Sequence, residues 1–74
     1  MTEQELKQVI SRNLEKVRKE QKLSHTDFAE RLGTNRTTLY LYESGRRMIS
    51  VELIYRLWEE FKISPNMLFG IVKD

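Results

Sequence analysis

The stretch LSHTDFAERLGTNRTTLYLYESG, residues 23–45, decides the fold, because it spells two short helices separated by a tight turn. Ser24 offers a hydroxyl to the free N–H groups of a new helix, and Asp27 three residues on makes something close to a capping box. Phe28, Ala29 and Leu32 then form one apolar face, and Gly33 supplies the left-handed backbone that ends such a helix. Asn35 can cap the next helix, which runs through Arg36-Thr37-Thr38-Leu39-Tyr40-Leu41-Tyr42-Glu43 to a stop at Gly45. Within it Leu39 and Tyr42 belong to the core, whereas Tyr40 stands outside.

Outward from this pair the same signals recur. On the N-terminal side Leu6, Val9, Ile10, Leu14 and Val17 fall at spacings of three and four, an apolar stripe on a helix from about Thr2 to about Gln21. On the C-terminal side Ser50 caps a helix that turns Leu53, Ile54, Leu57, Trp58 and Phe61 inward. Ser64-Pro65 opens a last one, since proline is tolerated in the first helical turn. Met67, Leu68 and Phe69 pack that helix down, and Gly70 closes it. No run alternates strictly between apolar and polar residues, so strands are not expected. The order is all-α, five helices, with the second and third joined by the short connection of a helix-turn-helix.

Composition sets limits on the rest. A chain of 74 residues holds one domain, spanning residues 1–74, and without cysteine it relies on regular helix packing and suits a reducing compartment. One histidine and no cysteine leave no ligand spacing for a metal, and no cofactor is expected. Neither a membrane-spanning run nor a secretory signal is legible. Ser24, His25 and Asp27 carry the letters of a nucleophilic triad but cannot converge from one helix start, so no catalysis is expected. Thirteen basic against 11 acidic residues is a mild excess. Its placement says more: residues 34–50 hold Arg36, Arg46 and Arg47 against Glu43 alone. Positive charge therefore gathers around the third helix, as a nucleic-acid partner would favour.

Over about Val9 to Gly70 the chain resembles the phage-repressor and Cro type, or XRE-like, helix-turn-helix family. The resemblance rests on Leu23-Ser24, Phe28-Ala29, Leu32-Gly33, Tyr42-Glu43-Ser44-Gly45 and Ile63-Ser64-Pro65, all at the family spacing. It implies a five-helix lambda-repressor-like DNA-binding domain whose third helix enters the major groove. Base contacts then fall to Asn35, Arg36, Thr37, Tyr40 and Leu41. Arg36 leads, because its planar fork can bond O6 and N7 of guanine together. Phosphates fall to Ser24, His25 and Thr26 at the start of the second helix and to Arg46 and Arg47 after the third. Arg18 and Glu43 match a pair that joins the first helix to the end of the third.

Four positions depart from the family pattern, among them Trp58, which stands where a smaller apolar residue is usual and whose bulk calls for repacking or burial in a partner. His25 stands where glutamine is common, and an imidazole adds a pH-dependent donor. Lys22 occupies a site where glycine is usual, which either strains a lysine or changes the turn. Leu41 replaces a basic or polar residue. The resemblance further implies a bacterial or phage-encoded transcriptional repressor or regulator acting in the cytoplasm at the nucleoid. It acts as a homodimer on a two-fold symmetric operator in double-stranded DNA, with Trp58, Met67, Phe69, Ile71 and Val72 as the dimer surface. An alternative keeps the fold but uses it to bind protein, as in an antitoxin or an anti-repressor partner, favoured by Tyr40 and Leu41 on the outer face of the third helix. A third reading makes the chain the DNA-binding part of a longer regulator.

Overall fold

The computed structural model describes residues 1–71, and among them the chain forms five helices and no strand. In order these are α1 Glu3–Glu20, α2 His25–Arg31, α3 Arg36–Glu43, α4 Val51–Phe61 and α5 Pro65–Leu68. Each opens on a side chain that turns back on its own backbone. Thr2, Ser24, Asn35, Ser50 and Ser64 accept from the N–H three residues ahead, each satisfying a group the helix itself leaves unpaired. At Thr2 the cap is reciprocal: the Glu5 carboxylate accepts the Thr2 N–H at 2.8 Å while Thr2 Oγ1 accepts the Glu5 N–H at 3.1 Å. At Ser24 it is one-sided. Ser24 Oγ accepts from the Asp27 N–H at 3.1 Å, but Asp27, one methylene shorter than Glu5, makes no return bond among the described residues.

The C-termini of α1, α2, α3 and α5 share one closure. Leu23, Thr34, Arg46 and Ile71 donate back to Arg18, Ala29, Leu41 and Asn66, five residues earlier, and the residue before each donor takes a left-handed conformation. In the α2–α3 turn that residue is Gly33, at φ +72°, and it aims the chain sharply from one helix into the next. After α1 it is Lys22, at φ +59°. The turn thus keeps the geometry a glycine would adopt and strains the lysine, a conformation that costs an L-residue about 1–2 kcal/mol.

The apolar faces meet in one core. Ile10, Leu14 and Val17 of α1 join Phe28, Ala29, Leu32, Leu39, Tyr42, Ile49, Leu53, Leu57 and Leu68. The rings of Phe28 and Phe61 lie 5.4 Å apart at a tilt, and the Arg31 guanidinium sits 4.9 Å over Phe61 while bonding Glu60. Gly45 is buried where α3 ends against α1, and a Cβ there would come within 2.7 Å of the Gln8 amide. The exposed Gln8 amide could shift to make room, so it is the φ of +76° that favours glycine at this position.

Two expected core positions lie outside it. Trp58 is 46% exposed rather than turned inward. At about 100° per residue it falls roughly 140° round α4 from Leu53, on the far side of the stripe that Leu53 and Leu57 bury. Met67 is 38% exposed, because the single inward position of the four-residue α5 goes to Leu68. Ile54, Phe61 and Phe69 pack partly buried against the core.

Candidate nucleic-acid interface

Helix α3 is anchored from behind and open in front. Leu39 and Tyr42 sink into the core, while Arg36 and Thr37 lead the helix fully on the outside and Tyr40, one turn on, is 51% exposed. Leu41 is partly buried. Among the described residues Arg36 makes no ion pair, and the first turn of α3 carries no acidic residue. Its five donors are therefore available to an outside acceptor. Asn35 Oδ1 is committed to the Thr38 N–H at 2.8 Å, which leaves only the Asn35 amide N–H groups for a ligand.

Beyond α3 the backbone N–H groups of Arg46 and Arg47 both donate to the Leu41 carbonyl, at 3.0 and 3.2 Å. These bonds fix the backbone from which both exposed side chains extend. Neither forms an ion pair among the described residues. At the start of α2, Ser24 and Thr26 are exposed.

His25 is placed differently from an open phosphate ligand. Its Nε2 lies 3.2 Å from Glu43 Oε1, and its side chain is 35% exposed. Glu43 is the pivot of this end of the molecule: its carboxylate, 5% exposed, also accepts from Arg18 Nε at 3.0 and 3.2 Å. Arg18 reaches further, donating from Nη1 to the Leu23 carbonyl at 3.1 Å. One guanidinium thereby ties α1 to the end of α3 and to the turn before α2. The His25–Glu43 contact was not anticipated from sequence. Its signal was that His25 opens α2 and Glu43 closes α3, the two ends a short helix-turn-helix brings together.

The residues expected at a dimer surface do not share one patch. Trp58 lines a shallow groove of about 450 Å³ with Val51, Ile54, Tyr55, Ser64 and Pro65. Met67 lines a separate hollow with Asn13, Lys16, Val17 and Glu20. Phe69 is partly buried, Ile71 is exposed, and Val72 lies outside the described residues. Val51 and Tyr55 were missed, although their spacing of four, continued by Trp58 three further on, is a helical stripe legible in the sequence.

Two capped helices joined through a glycine turn, the second with a buried back and a free basic leading edge, define a helix-turn-helix DNA-binding domain. Residues 11–70 match the model of a family described as a helix-turn-helix domain, and the chain belongs to that family. It is also 34% identical over 62 residues to the antitoxin PezA of Streptococcus pneumoniae serotype 4 (strain ATCC BAA-334 / TIGR4). That match covers 84% of this chain and 39% of PezA, so the chain spans well under half the length of this relative. No solved structure matches. Among the described residues no helix is long and apolar enough to cross a membrane.

Proposed function

We propose that this chain is a sequence-specific transcriptional regulator, a repressor in its simplest form, that binds duplex DNA without catalysis in the bacterial cytoplasm. The observation that carries the reading is the leading edge of α3: Arg36 and Thr37 project from a helix anchored by Leu39 and Tyr42, and no residue described here pairs with Arg36. Arg36 reads guanine, while the Thr37 methyl, Tyr40 and Leu41 meet apolar edges such as the thymine methyl, and the Asn35 amide donates beside them. Ser24 and Thr26 at the start of α2, with Arg46 and Arg47 after α3, hold phosphates and set the docking register. Two copies place their third helices in successive major-groove faces, about 34 Å apart, on a two-fold symmetric operator. The α4 groove around Trp58 supports the pairing of those copies.

Selection of bound duplexes from a random library tests this directly, and a symmetric, enriched half-site is the expected result. Gel shifts at low and moderate salt accompany it, since even non-specific binding must weaken steeply as salt rises. Absence of any salt-sensitive shift rejects the proposal.

A second reading makes the fold a protein-binding module. The similarity to a protein named an antitoxin and the exposed apolar side chains of Tyr40, Val51, Tyr55 and Trp58 favour it. Under that reading duplex affinity is absent and a protein partner docks on α3 or α4.

A further inference from the structure

His25 is the one histidine of the chain, and it sits on the side of the molecule assigned above to phosphate contact. A carboxylate is an acceptor only, so the 3.2 Å contact with Glu43 Oε1 requires the hydrogen on Nε2. Among the described residues no bond engages the other ring nitrogen, Nδ1. In the neutral ring Nδ1 is an acceptor, which a phosphate oxygen cannot use; in the protonated ring it is a charged donor.

Glu43 of α3 bonds both Arg18 of α1 and His25. Lys22 precedes α2 in the turn, and Asp27 lies on α2 itself. From α4, Glu60 and Glu52 are engaged elsewhere, with Arg31 and Arg56; α5 carries no charged residue. With a neutral ring, Arg18 and Glu43 cancel. With a protonated ring the same cluster carries one net positive charge, gained at the end of the helix-turn-helix that faces the backbone of bound DNA.

We propose that His25 is a positioning residue of the DNA-binding face that acts through Glu43 to hold the start of α2 against the end of α3, and that its protonation tightens the grip on duplex DNA. The inference rests on the DNA-binding reading above. It differs from a plain phosphate ligand in that the imidazole is oriented by a buried carboxylate before DNA arrives.

The experiment measures affinity for a 20-base-pair duplex by fluorescence anisotropy between pH 8 and pH 5.5 at fixed ionic strength, for the unaltered chain and for H25Q. Glutamine retains a donor for Glu43 but cannot take up a proton. The unaltered chain is expected to bind several-fold more tightly at pH 5.5, with a salt dependence steeper by about 0.9 in log–log slope, one added phosphate contact. H25Q is expected to show neither change. Ring nitrogen resonances of the free protein, which need no DNA, are expected to show Nε2 protonated in the neutral ring and to shift in E43Q. Salt-sensitive binding with the same pH profile in H25Q overturns the inference and leaves the DNA-binding reading standing. No duplex binding at any pH overturns both. Ring resonances unchanged by E43Q overturn the positioning role whatever the affinity does.

Discussion

Arg36 is exposed, makes no ion pair among the described residues and opens a helix fixed from behind, so its removal has little route to the fold. Replacing it with alanine is expected to weaken binding at the selected site by about 1–3 kcal/mol and to relax base preference at one position. An equal loss on random duplex, measured by competition, would remove it as a base reader. Lys22 makes the opposite kind of case. Its φ of +59° is the conformation glycine holds after α2 and α3, so Lys22→Gly is expected to raise stability by about 0.5–1 kcal/mol in urea unfolding. A fall in stability would mean that the lysine side chain, not its backbone, matters to the turn. The departure at residue 22 was visible in the sequence, but which of its two outcomes holds needed the backbone. His25 was harder to place: its position at the start of α2 was legible, whereas its bond to a residue 18 positions away depends on how α2 and α3 cross.

Among the helices, α3 divides its labour between a buried back and an outward front, and the closure after it holds the backbone of Arg46 and Arg47 to the Leu41 carbonyl. In the proposed function, charge on these two side chains attracts phosphate without reading sequence. Converting either to alanine is expected to lower affinity for selected and random duplexes alike and to reduce the log–log salt slope by about 0.9. A sequence-dependent loss would reassign that arginine to base contact. The helices themselves were readable because every start carries its own cap and most ends carry a residue suited to a left-handed turn. The faces of α4 were less so. Leu53, Ile54, Leu57, Trp58 and Phe61 fit one apolar run on paper, yet an eleven-residue helix presents only one side to this core, and Trp58 with Val51 and Tyr55 forms a second stripe.

For the molecule as a whole, that second stripe bears on assembly. Trp58→Glu places a charge in the α4 groove while leaving the Leu53 and Leu57 face intact. If two copies pair there, sedimentation is expected to show a shift from dimer to monomer with melting temperature of the monomer little changed; an unaltered dimer would locate the contact elsewhere. The five-helix order, most of the caps and most of the core could be read from residue type and spacing, since they follow from local chemistry repeated along the chain. Contacts between distant segments could not. The Asn13 amide donating to the Met67 and Leu68 carbonyls, at 3.3 and 2.8 Å, and the meeting of Gly45 with Gln8 exist only once α1 packs against both α5 and the end of α3. The separation of α3 into a hidden side and an open one has an evolutionary consequence. Because the exposed Arg36, Thr37 and Tyr40 stand outside the core, a chain that reads DNA as proposed could have these letters rewritten one at a time and acquire a new genomic address, while the frame that displays them goes untouched.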